Sequence, residues 1–155
     1  MKRLPVFLLA CILAASCGQS LTLEQQIIAT IEQMESKIEA GERRAFMTHI
    51  ADRFSAQNGQ MNREQVRALV VFQLNRHKQL QARLLPIRVT SLGEAEAQAE
   101  FRALVTGGPG WIPERGQVYD FDTRWILEDD EWLLLSADWE PVPLDQVVPE
   151  ILREN

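Results

Sequence analysis

Cysteine is scarce in this 155-residue chain: Cys11 and Cys17 are the only two, and both fall within the first 17 positions. Everything downstream therefore has no thiol for a disulfide or a redox step, and its stability must come from its core. Histidine is equally sparse. His49 and His77 stand alone, with no Cys-His or carboxylate-His spacing of zinc type, so neither a metal nor a cofactor is expected. Long apolar runs are missing too: the stretch Leu4 to Ala15 has 12 residues, short of the roughly 18 that a membrane-spanning helix needs. Positive charge is in deficit, with 16 Lys and Arg against 22 Asp and Glu. That balance argues against nucleic acid as a partner and against electrostatic attachment to anionic headgroups.

What is present begins with an export signal. Lys2 and Arg3 precede the apolar stretch, and Ala14-Ala15-Ser16 place small side chains directly before Cys17. A positive start, a short apolar region and a small-residue cleavage site describe a secretory signal. Ending it on cysteine resembles the bacterial lipobox. The resemblance implies cleavage after residue 16 and acylation of Cys17 on its sulfur and new amine. Gly18, where an aspartate would resemble an inner-membrane retention signal, favours the outer membrane with the domain facing the periplasm. Lys2 and Arg3 are the only charges of that leader, so without it 14 basic side chains face 22 acidic ones, a balance of −8. Residues 17–21 make a lipidated tether that reaches roughly 14 Å when extended, which keeps the domain close to the bilayer.

Thr22 with Gln25 forms a capping-box pattern, and Ile27, Ile31, Met34 and Ile38 recur as the stripe of a core-facing helix ended by Gly41. A shorter helical segment places Ala45, Phe46, His49 and Ile50 on one face, and Ser55 to Gln60 reads as a turn. Asn62 with Gln65 starts a third helix, continued by Val66, Leu69, Val70 and Leu74. The period then changes. Ile87 and Val89 mark a strand ending near Ser91, and from Ala95 apolar and polar residues alternate to Val105. Residues 107–116 form a loop without the lysine of a phosphate cradle. Val118 to Glu128 and Glu131 to Trp139 form a hairpin turning at Asp129-Asp130, and the prolines of the tail from 141 to 155 leave room for a short helix around Leu144 to Val148.

Helices followed by antiparallel strands predict an α+β domain over residues 22–140, with three N-terminal helices packed on a curved, mainly antiparallel four-stranded sheet. This order, with Thr123 to Trp132 as a tryptophan strand, an acidic turn and a second tryptophan, resembles the nuclear transport factor 2-like superfamily, which includes SnoaL-like cyclases and ketosteroid isomerases. The loop from Thr106 to Gly116 is similar to one in uncharacterised bacterial lipoproteins of that superfamily. The superfold hosts many unrelated activities, so the resemblance implies a fold rather than a reaction. The first helix has no tyrosine, unlike the ketosteroid isomerase pattern, and Tyr119 is the only tyrosine in the chain.

A two-residue turn at Asp129-Asp130 pairs Thr123 with Ser136 and Phe121 with Asp138, which places Tyr119, Trp125 and Asp138 on the concave face. Asp138, Tyr119, His49 and Trp125 are thus the pocket candidates. The opposite face collects Ile126, Leu133, Leu135 and Trp139, a patch suited to a homodimer, an envelope protein partner or the chain's own tail. The expected function is an envelope lipoprotein whose domain binds a small ligand or a protein without catalysis. The alternative is a small isomerase- or hydrolase-like enzyme using a pocket carboxylate.

Overall fold

A capping box opens the first helix: Thr22 Oγ1 accepts from Gln25 N at 3.2 Å, and Gln25 Oε1 accepts from Thr22 N at 3.0 Å. Two backbone donors are satisfied reciprocally, so α1 (Leu23–Glu39) starts where the sequence predicts. The computed structural model describes residues 20–76, 80–107 and 116–143. The expected leader, Cys17, the loop of residues 108–115 and the tail helix lie outside them. Ile27, Ile31 and Met34 are buried on the inner face of α1, and Gly41 takes the left-handed conformation, φ +71°, that ends it.

The second helix, α2 (Arg43–Thr48), is shorter than the helical pattern through Ile50 suggests. At His49 the chain turns into β1 (Ile50–Ala56), because a long-range partner outcompetes the local period. Leu134 N donates to His49 O at 2.8 Å, and β1 then runs parallel to β7 (Glu131–Val142), with Ile50 beside Leu134 and Ala56 beside Ala137. A turn with Gln57 and Asn58 at positive φ leads to the two-residue β2 (Met61–Asn62) and into α3 (Arg63–Arg76). Asn62 and Gln65 exchange hydrogen bonds at 2.9 and 3.0 Å, a second reciprocal cap. Arg63 fastens this junction, its guanidinium donating to Ile50 O at 3.2 Å and to Met47 O at 3.0 Å.

The sheet has seven strands rather than the expected four. Its order is β2-β1-β7-β6-β5-β3, with β4 beside β3 on the same flank of β5. The long antiparallel members are β5 (Glu96–Gly107), β6 (Gly116–Glu128) and β7. The predicted strand around Ile87 is one part of a split edge, β3 (Leu80–Leu84) and β4 (Arg88–Ser91). Pro86, which has no N–H to donate, stands at the break, while Leu85 N still reaches Arg102 O at 2.9 Å. The outward amides of β3 meet α1: Ala82 N donates to Glu39 Oε1 at 2.9 Å and Leu84 N to Glu35 Oε1 at 3.3 Å.

The hairpin turns at Asp129-Asp130, with φ of 49° and 63° at the two positions, the conformation that suits two-residue hairpin loops. Leu127 faces Trp132 and Trp125 faces Leu134, as the turn predicts. The register then slips. Arg124 faces Ser136, so Leu135 is an extra residue, a β-bulge in β7. Beyond it Thr123 pairs with Ala137, Asp122 with Asp138 and Phe121 with Trp139. Because side chains alternate, this single residue turns Ala137 and Trp139 inward and Ser136 and Asp138 outward.

The core fills the space between α1 and the concave sheet face, centred on Ile27, Ile31, Phe54, Ala97, Ala99 and Trp125. Trp132 Nε1 donates to Gln26 Oε1 at 3.0 Å and ties β7 to α1. Val118, Val142 and Leu104 form a small second cluster on the outer face. Among the described residues, no helix is long and apolar enough to cross a membrane.

Candidate functional site

The three helices do not close completely onto the sheet. Between them lies a cavity of about 670 Å³, walled by Ile31, Met34 and Ile38 of α1, Val66, Leu69 and Val70 of α3, and Phe101, Tyr119, Phe121 and Trp139 of the sheet. A pocket of this size with mainly apolar walls is the usual form of a small-molecule site. Among the described residues, no group of three or more His, Cys, Asp or Glu side chains could hold a metal ion.

The polar groups at the closed end are already used. Thr123, buried beneath the helices, donates from Oγ1 to Ala99 O at 2.7 Å and accepts from Trp125 Nε1 at 2.9 Å. That pair is needed because a buried indole or hydroxyl without a partner is costly. Trp125, only 1% exposed, is therefore a cavity wall whose one polar atom faces the sheet.

The structure rearranges the pocket candidates. Tyr119 and Trp125 line the cavity. Asp138 does not: the bulge at Leu135 puts it on the outer face, where its carboxylate accepts from Asn58 N at 2.7 Å. Gln57 adds bonds from its backbone N to Ala137 O at 3.2 Å and from Nε2 to Trp139 O at 3.1 Å, so Asp138 belongs to the clamp between the β1–β2 turn and β7. His49 also lies off the cavity wall, as the residue that ends α2. Burial lowers its pKa below the ordinary histidine value, opposed by the Glu131 carboxylate and assisted by Lys37.

The interface candidates do not form one exposed patch. Trp139 is turned inward by the bulge, its ring 6.3 Å from that of Phe121. Ile126 is 3% exposed, which leaves Leu133 and the bulge residue Leu135 half-buried on the outer face. The neighbouring outer surface is polar, with Arg102 Nε 2.8 Å from Asp120 Oδ1 and Gln98 Nε2 2.8 Å from Asp122 Oδ1.

One acidic wall residue is absent from the pocket candidates named above. Glu35 of α1 lines the cavity while accepting from Leu84 N. Burial raises its pKa above 4.5. The Leu84 hydrogen bond works against that rise, Glu39 and Glu32 add to it, and Arg83 opposes it. Its signal is positional: Glu35 sits four residues after Ile31 and three before Ile38, inside the apolar stripe of α1. Gln73 and Arg76 extend the inner side of α3 to the cavity in the same way.

The structure is similar to that of a Bdellovibrio bacteriovorus protein, with a TM-score of 0.67 and 9% identity over 77% of this chain and 40% of that one. This chain thus spans well under half of that protein's length. It is also similar to a scytalone dehydratase-like protein from Novosphingobium aromaticivorans (TM-score 0.66, 8% identity, 76% of this chain and 83% of that one). A nuclear transport factor 2-like protein of unknown function from Pseudomonas putida matches with a TM-score of 0.66 and 16% identity over 79% of this chain and 89% of that one. No protein-family model and no curated protein matches the sequence. Identities this low speak for the fold alone, and on that ground the chain has the α+β fold of nuclear transport factor 2-like proteins.

Proposed function

We propose that this chain is an envelope lipoprotein whose domain holds a small apolar molecule in the helix–sheet cavity without transforming it. The observation that carries this reading is the cavity itself, about 670 Å³ of mainly apolar wall beside the buried core. Among the described wall residues neither Asp138 nor His49 is found, and apolar side chains predominate, which supports binding. The address rests on Lys2, Arg3 and the Ala14-Ala15-Ser16-Cys17 pattern, with the outer membrane and a periplasm-facing domain as the destination. Native mass spectrometry of the gently purified chain tests the reading. A non-covalent adduct that is lost when Ala103 is enlarged to Phe is expected, and a ligand-free chain that takes up no apolar probe would overturn it.

A second reading is favoured by one observation. Glu35 is a cavity carboxylate whose pKa burial raises, a direction shared with carboxyl groups that move protons. A dehydratase-like neighbour uses the same fold, and dehydration requires such proton transfer. An adduct recovered chemically changed by the wild type and unchanged by Glu35→Gln would select this reading.

A further inference from the structure

The cavity runs from a closed end to an open one, and two of its walls agree on the direction. Along α3 the wall passes from buried Val66 through half-buried Gln73 to exposed Arg76. Along β6 it passes from buried Trp125 to half-buried Tyr119. Polar groups divide by the same rule. The donors of the closed end, Trp125 Nε1 and the hydroxyl of Thr123, are spent within the protein.

At the open end the Gln117 amide is spent on Val118 O and Val142 O, but three other donors are not. Among the described residues, the Arg76 guanidinium has no carboxylate within 4.0 Å, and it lies 6.0 Å from the centre of the Phe72 ring. The Tyr119 hydroxyl and the Gln73 amide likewise have no hydrogen-bond partner among the described residues. Among the described residues, Arg76 is also the only basic side chain on the cavity wall. The one acid there, Glu35, is held to the β3 edge by Leu84 N. A greasy closed end with a donor-rich, cationic mouth complements a molecule with an apolar body and a single anionic, acceptor-bearing head. Guanidinium groups match planar carboxylates through paired, charge-assisted hydrogen bonds.

Resting on the ligand-binding reading, we infer that the occupant is an amphiphile of the fatty-acid type. Its hydrocarbon lies against the closed end and its carboxylate meets Arg76, with Gln73 and Tyr119 supplying further donors. A volume of about 670 Å³ falls within the range that encloses most of a small organic ligand.

Equilibrium dialysis of the full chain against radiolabelled dodecanoate and dodecan-1-ol, both below their aggregation thresholds, tests this assignment. Dodecanoate is expected to bind at least about tenfold tighter, equivalent to about 1.4 kcal/mol. Arg76→Gln should remove that preference by lowering dodecanoate affinity to that of dodecan-1-ol, and Arg76→Lys should keep part of it. Ala103→Phe should abolish both by filling the cavity. If circular dichroism shows that variant unfolded, Val105→Phe on the half-buried stretch of β5 replaces it. Equal affinity for the acid and the alcohol, or a preference that survives Arg76→Gln, overturns the head assignment and leaves the cavity reading standing. Binding of neither probe, or binding that persists when the cavity is filled, overturns the cavity reading and this inference with it.

Discussion

Glu35 shows how a single residue on an apolar stripe acquires two duties. Its carboxylate accepts from Leu84 N and simultaneously faces the cavity, where burial raises its pKa above 4.5. An acid with a raised folded-state pKa binds its proton more tightly in the native chain than in the unfolded one. Its contribution to stability is therefore full below pH 4.5 and is lost as the pH climbs through the folded value. Glu35→Gln keeps an acceptor for Leu84 N and removes the charge. The variant should match the wild type near pH 4 and exceed it in stability at pH 8, read as the urea midpoint at each pH. A difference that stays flat between those two pH values would remove the desolvation argument. His49 runs in the opposite sense, since its lowered pKa costs stability as the pH falls below 6.5. Both chains carry His49, so comparing Glu35→Gln with the wild type cancels its contribution.

Among the elements, β7 decides the chemistry of the site. Strict alternation along the hairpin puts Asp138 and Ser136 on the concave face; the extra residue Leu135 exchanges them for Ala137 and Trp139. Deleting Leu135 removes the extra residue while Ser136 and Asp138 stay outward and Ala137 and Trp139 stay inward. The Asn58 N bond to Asp138 and the cavity wall are then kept, so the cost should stay below about 3 kcal/mol, the size expected where a large aromatic is lost from a core. Urea unfolding checks this, and a greater loss would show that the bulge itself is needed for the pairing of β6 with β7.

The same element explains which parts of the fold are legible in the sequence. α1 and the start of α3 are, because Thr22 with Gln25 and Asn62 with Gln65 are neighbours along the chain and their bonds are local. So is the hairpin turn, because Asp129-Asp130 sits between two alternating runs. β1 is not, since the partner that makes Ile50 to Ala56 a strand lies in β7, far along the chain. A bulge leaves no trace in composition, so Asp138 reads as a pocket residue when it clamps the turn at Asn58. Tyr119 and Trp125 are legible as cavity residues because both lie on β6, which carries no irregularity of its own on the side of β5.

For the whole molecule, the proposed anchor sets where the cavity operates. Three acyl chains on Cys17 would hold far more firmly than the single chain that binds only marginally, and a tether of roughly 14 Å would keep the domain close to the bilayer. Cys17→Ala should abolish incorporation of labelled palmitate and leave an unprocessed precursor, read by gel mobility and autoradiography. Label retained in that variant would remove the lipoprotein proposal.

Two carboxylates on α1 have a wider effect on how copies of this protein meet. Glu35 and Glu39 occupy two of the amides that β3 presents away from β5, those of Leu84 and Ala82. Left vacant, those amides would be a docking rail for any extended polypeptide, and sheets grow by such additions. Glu35 also lines the cavity, so Glu35→Gln touches the chamber wall and the capped edge at once.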